Sequence, residues 1–264
     1  MTLAYIVSGL SVGLLVGLTG VGGGSLMTPL LVFLFGFAPT TAVGTDLLFA
    51  SLTKAGGVIV HHRNHGSVDW RIVGHLATGS IPAAIGVILA LEYLEIDKST
   101  ISSVVTLALG VALILTALAL IFRNRLMKAS LESDAHDPGR FARWQTPATV
   151  MAGFVLGVLV TLSSIGAGAL GTVALFYLYP RLPTVRIVGT DLAHAIPLTA
   201  VAGLGHLHMG NVDFSLLGSL LIGSVPGIWV GSHLSARVPE RVLRPILASL
   251  LMIIGMKFVW PAFA

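Results

Sequence analysis

Three formal charges lie inside otherwise apolar stretches of this chain: Asp46, Lys54 and Asp191. An ionisable side chain at the middle of a membrane helix costs at least about 2.5–3.5 kcal/mol, so it faces a cavity or a partner rather than lipid. Asp46 and Asp191 stand in the same pentapeptide, VGTDL at Val43–Leu47 and again at Val188–Leu192. At 1.5 Å per residue, Asp46 falls about 9 Å along a helix from Thr40, away from its very edge. A carboxyl that changes exposure between inward and outward states can take up a proton on one side and release it on the other. The plainer role for both acids is to cap a neighbouring helix or break. His194 follows Asp191 by three residues, close enough to share a face. It suits a proton relay, or a hydrogen-bonded packing role. Lys54 lies eight residues after Asp46 on roughly the same side. It fits an anion counter-charge, a partner for Asp46, or a cation snorkelling to the interface.

Two runs of small residues form the second chemical feature. One covers Gly20 to Ser25, the other Ser163 to Ala169. Such runs weaken a helix and permit turns. A half-helix starting near Ser25, and another near Ala169, would point backbone N–H groups and a positive dipole end at an anion. Thr19, Gly22, Gly23, Gly24, Ser25, Ser163, Ser164, Gly166 and Gly168 are the candidate contacts there. Thr45, Thr190 and the four titratable residues above complete the candidate substrate site. The alternative use of these small residues is close helix packing. No GKS or GKT follows the glycines, which argues against a phosphate loop, and neither GxSxG nor HExxH occurs. HHxxH at His61, His62 and His65, and HxH at His206 and His208, lack the carboxylate company of a metal motif. They read as loop histidines. With no cysteine, thiolate chemistry is excluded. No catalytic residue, metal or cofactor is expected, and nucleic acid is not expected as a partner.

The elements that must position these residues follow from composition. The 264 residues are 55% hydrophobic and only 10% charged, with a mean hydropathy of +0.94. A soluble domain carries about 25% charged residues. A membrane helix needs about 20 apolar residues. The stretches 41–60, 72–91, 101–122, 187–207, 214–234 and 243–263 meet that length. Two longer stretches, 3–38 and 147–179, are each divided by a glycine-rich run into two helical pieces. The polar segment 123–146 is expected to link a first membrane repeat, 1–122, to a second, 147–264. No cleavable leader is evident at Met1 to Tyr5.

The halves echo one another. GSVDW (Gly66–Trp70) matches GNVDF (Gly210–Phe214), and GSIPAAIG (Gly79–Gly86) matches GSVPGIWV (Gly223–Val230). With VGTDL and the glycine runs, four matches fall in one order at a shift of 144 or 145 residues. Internal duplication is a common construction in secondary transporters. Cations then decide its sense. If each broken stretch crosses once, the repeats are parallel and the cations split eight to six. If each enters and returns as a hairpin, the repeats are inverted. Twelve cations then share one side, against Lys98 and Lys257 on the other. Cytoplasmic loops are enriched in Lys and Arg. The second arrangement places 123–146 in the cytoplasm and both termini outside. The expected fold is an all-α polytopic membrane protein of about eight transmembrane segments, arranged as inverted repeats.

GLTGVGGGSLMTPLL (Gly17–Leu31), AVGTDLL (Ala42–Leu48), HGSVDW (His65–Trp70), GSIPA (Gly79–Ala83) and their second-half echoes resemble the sulfite exporter TauE/SafE family of membrane transporters. The resemblance runs along nearly the whole chain outside the linker. It implies movement, by export in particular, of a small anion such as sulfite or an organosulfonate. Proton coupling fits the two acids. The expected partners are that anion and the bilayer, and a homo-oligomer is compatible with the sequence. The expected location is the cell membrane as a multi-pass protein, the inner membrane in a Gram-negative cell. An anion channel is the nearest alternative. An intramembrane enzyme, or an assembly or receptor subunit, stands further off.

Overall fold

Apolar runs without water to bond their backbone satisfy it within a helix or a closed barrel, and the described chain is helical nearly throughout. The computed structural model describes residues 2–19, 24–65, 68–93, 97–136, 138–234 and 240–260. Among them are ten helices: α1 (Thr2–Thr19), α2 (Gly24–Phe35), α3 (Pro39–His65), α4 (Trp70–Tyr93), α5 (Lys98–His136), α6 (Pro138–Ser163), α7 (Leu170–Leu178), α8 (Thr184–His208), α9 (Phe214–Leu234) and α10 (Glu240–Val259). Five described stretches are long and apolar enough to cross a membrane: Trp70–Tyr93, Lys98–Glu132, Arg143–Ser163, Thr184–His208 and Phe214–Gly231. The equivalent prolines Pro82 and Pro226 both lie inside continuous helices. The polar linker is helical too, because α5 runs on to His136 and α6 starts at Pro138.

Each broken stretch turns back on itself. The Tyr5 ring near the start of α1 meets Phe35, at the end of α2, with centroids 5.0 Å apart. In the second half, the amide of Gln145 donates to the Leu178 carbonyl at 2.8 Å, and Thr149 shares a 2.8 Å hydrogen bond with the Tyr179 hydroxyl. The end of α7 thus returns to the level at which the apolar part of α6 begins. Tyr5 and Thr149, and Phe35 and Tyr179, are equivalent at the 144-residue shift.

Side-chain contacts sort the helix ends. At one end Arg186 at the start of α8 pairs with Asp69 before α4 at 3.1 Å. There too Arg123 of α5 lies over the Phe176 ring of α7 at 4.2 Å, and Arg244 of α10 donates to Asn124 of α5 at 3.4 Å. At the other end Lys257 lies 4.5 Å from the Phe33 ring centroid, and His208 meets Glu92 at 3.3 Å.

The halves interlock. Helix α1 packs against α9 and α4 against α6, while α3 packs against its own equivalent α8, and α5 against its equivalent α10. Glycine permits the first two contacts. A Cβ on Gly223 would overlap the Ile6 carbonyl, and one on Gly79 would overlap the carbonyl of Val150, the residue equivalent to Ile6. With no aqueous drive between membrane helices, this backbone-to-backbone contact and its dispersion are what hold such a seam. The buried core joins the halves as well: Val43 and Leu47 of α3 pack with Leu109 and Leu113 of α5 and with Ala195 and Leu198 of α8.

Candidate functional site

The α3/α8 pair carries the buried charges. Asp46, Lys54 and Asp191 are all buried, with Asp46 completely so. Each acid is held by the broken helix of its own half. The Thr28 hydroxyl in α2 donates to Asp46 Oδ2 at 2.5 Å, and the Thr172 hydroxyl in α7 donates to Asp191 Oδ2 at 2.9 Å. Thr28 and Thr172 are equivalent at the 144-residue shift. A Cβ on Gly171 would strike Asp191 Oδ1, so glycine lets that carboxylate lie against the first turn of α7. Anionic groups near a helix start gain from its dipole, by up to about 2 kcal/mol in buried geometry. In the structure the chain's own carboxylates stand beside these half-helix starts.

Lys54 breaks the symmetry. Its ammonium donates to the Ala167 carbonyl of the second glycine-rich run at 2.8 Å. It also lies within electrostatic reach of Asp46, Asp191 and His194. At the equivalent position Thr199 bonds only within its own helix, to the Ala195 and Ile196 carbonyls. The break that Lys54 touches is irregular backbone: Ser164, Gly166 and Gly168 have φ of 58°, 117° and 124°. Glycine takes such angles at little cost; Ser164 takes one while fully packed. Ser163 closes α6 and accepts from the Ile165 N–H at 3.1 Å, which turns the chain out of the helix. The Ser164 hydroxyl approaches Asp46 without hydrogen-bond geometry.

His194 shares a 2.8 Å hydrogen bond through Nε2 with the Ser80 hydroxyl of α4. Four buried polar atoms in this cluster make no hydrogen bond: Asp46 Oδ1, Asp191 Oδ1, Ser164 Oγ and His194 Nδ1. A native interior pairs the great majority of such atoms, so their gathering in one place marks a polar site rather than a packed core.

Thr45 and Thr190 do something else. The Thr45 hydroxyl accepts the backbone N–H of Asp213 at 3.1 Å, and Thr190 accepts that of Asp69 at 2.9 Å. Each threonine thereby ties its helix to the loop ahead of a helix in the other half. Asp213 in turn caps α9 at the Leu216 N–H, and Asp69 approaches the Ile72 N–H in α4. Neighbouring residues of one motif therefore serve two ends: threonine clamps the opposite half, aspartate binds its own broken helix.

Of the first-half candidates, Thr19 ends α1, and Gly24 and Ser25 open α2. Gly22 and Gly23 lie outside the described residues. His61, His62 and His65 lie outside the described side chains. His206 and His208 point to different partners: His206 is buried against the Thr161 carbonyl at 2.9 Å, and His208 reaches Glu92. Thr28, Thr172 and Ser80 were not singled out from the sequence. The signal for the two threonines was present, since both stand at equivalent places after the glycine runs.

Comparison with known proteins agrees with the architecture. Over 266 residues the chain is 40% identical to the probable membrane transporter protein YjnA of Bacillus subtilis (strain 168), with 98% of this chain and 100% of that one covered. It is 27% identical to the probable membrane transporter protein YdhB of the same organism, across 91% of this chain and 96% of the relative. A probable membrane transporter protein of Xylella fastidiosa (strain 9a5c) is 24% identical, across 97% and 94%. No solved structure matches. The family described as sulfite exporter TauE/SafE matches residues 5–258. With several helices long enough to cross a bilayer and that match spanning nearly all of its length, this chain is a multi-pass membrane protein and belongs to the sulfite exporter TauE/SafE family of membrane transporters.

Proposed function

We propose that this protein is a proton-coupled secondary carrier of a small anion, such as sulfite or an organosulfonate, and works by export across the cell membrane. The observation that carries the reading is the buried cluster itself: one carboxylate from each half, with Lys54 within reach of both. Two carboxylates and one ammonium leave one negative charge. An unmatched charge in a dry interior costs several kcal/mol, and one proton shared by the pair removes it. When the halves move apart and water enters, Lys54 can turn from the Ala167 carbonyl to an entering anion. The unpartnered oxygens and His194 Nδ1 then offer the proton a path. A carrier fits this arrangement better than a channel, because Asp46, Lys54 and Asp191 are buried in the protein.

Inverted repeats are part of the same proposal. Support comes from the hairpin form of both broken stretches and from the contacts that gather Arg123, Arg186 and Arg244 at one end, with Lys257 at the other. The positive-inside rule then puts segment 123–146 in the cytoplasm. The direct test is uptake into proteoliposomes of sulfite, sulfate, thiosulfate, taurine, sulfoacetate and small carboxylates. Saturable, counterflow-competent movement of a sulfur oxyanion is expected. Conductive flux without saturation would favour a channel, and movement of none of these anions would refute the substrate class.

A further inference from the structure

We infer that the cleft between the end of α5 and the start of α10 is a binding site for the headgroup phosphate of an anionic phospholipid. A cavity of about 560 Å³ opens there, lined by Arg123, Asn124 and Arg244 on its polar side and by Leu120, Ile121 and Ala248 on its apolar side. Arg123 is the first charged residue after the apolar run 101–122, so it stands where hydrocarbon gives way to headgroups. Arg244 is brought to the same level from the other half of the chain, through its bond to Asn124. Both arginines are half-buried, and Arg123 is seated on the Phe176 ring.

Two planar guanidiniums lining one cleft from two helices suit one multi-oxygen anion. Each guanidinium carries five N–H donors in a fixed fork, the geometry that fits phosphate. The apolar side continues into lipid-facing surface. Leu115, Leu118 and Ile121 on α5 and Ile246, Leu250 and Ile253 on α10 are exposed along the run away from the arginines. A phosphate held by the arginines would lay its acyl chains along those side chains. A free phosphate has the same headgroup chemistry but gains nothing from that apolar track. Basic pockets between membrane helices at the headgroup level take anionic lipid on these grounds.

The test uses the full-length protein reconstituted in equal parts phosphatidylglycerol and phosphatidylcholine, then extracted in mild detergent. Lipid retained by the protein is measured by native mass spectrometry. Phosphatidylglycerol is expected to be retained in preference to phosphatidylcholine. Arg123→Gln or Arg244→Gln should lower its retention about fivefold each, and the double variant roughly thirtyfold, at the value of one cationic contact per side chain. Lys128→Gln, a change at an exposed cation on the same helix, should leave it unchanged. The single variants carry the test if the double variant does not fold. Equal retention of both lipids, or undiminished phosphatidylglycerol in the arginine variants, would overturn the inference. So would an equal loss in Lys128→Gln, or inorganic phosphate binding to lipid-free protein that shows no preference for phosphatidylglycerol.

Discussion

At the scale of single residues, each buried acid is held by a threonine of its own broken helix, and Lys54 sits within reach of both. Asp46, Lys54 and Asp191 are visible in the sequence because a charge inside an apolar run has no local reason to be there. Thr28, Thr172 and Ser80 are invisible on that criterion, since a hydroxyl in a membrane helix usually bonds back to its own backbone, as Thr199 does here. Thr45 and Thr190 were legible as motif members but not as clamps, because their partners are 168 and 121 residues away. Removing either hydroxyl strands a backbone N–H of the opposite half. Thr45→Val and Thr190→Val are each expected to cost about 1 kcal/mol of stability, the usual net value of a hydrogen bond. Equilibrium unfolding in detergent would measure it, and an unchanged midpoint in both would remove the clamp. Lys54 carries a larger expectation. Lys54→Met leaves the carboxylates without their cation, which for a buried pair costs about 3–5 kcal/mol. Adding Asp191→Asn should recover part of that loss, whereas a merely snorkelling lysine would give a small loss and no recovery.

At the scale of elements, apolar length located most helices, and the glycine runs located the breaks. What length could not give was the pairing of α1 with α9 and α4 with α6, because the seam is made by small residues whose role depends on a partner far away in sequence. Gly223→Ala and Gly79→Ala press a methyl into backbone that cannot yield, so each is expected to lower stability by about 1–3 kcal/mol. Gly74→Ala is the matched control in α4, with open space where the methyl would go. It should be neutral or stabilising by up to about 1 kcal/mol, the helix-propensity gain from glycine to alanine. Thermal unfolding of the three variants side by side would decide, and equal effects in all three would mean the seams are not tight. The linker's composition suits a solvated connection but does not distinguish a coil from a helix. The structure carries α5 and α6 through it as helix because nothing between Arg123 and His136 interrupts the turn.

At the scale of the whole molecule, the repeat was legible from its equivalent motifs, whereas its sense rested on the loop cations alone, since sequence equivalence is the same for parallel and inverted copies. The contacts Tyr5–Phe35 and Gln145–Leu178 support the inverted sense proposed above. The chain has no cysteine, so single cysteines can be placed at will. Labels near position 128 should react only from the cytoplasmic side and labels near 3 and 258 only from outside; a cytoplasmic C-terminus would end the inverted assignment. Asp46 and Asp191 are proposed to act together as the proton-carrying pair, and one measurement addresses that directly. Proteoliposomes are given a pH gradient and a sulfonate that stays ionised throughout, and its steady-state accumulation is followed for the wild type, Asp46→Asn and Asp191→Asn. One proton per anion predicts up to about tenfold accumulation per pH unit, because one unit is worth about 1.4 kcal/mol. Both asparagine variants should fold, exchange the anion and lose that accumulation. Full pH-driven accumulation in both variants would contradict the account and leave the two acids as anchors of α2 and α7.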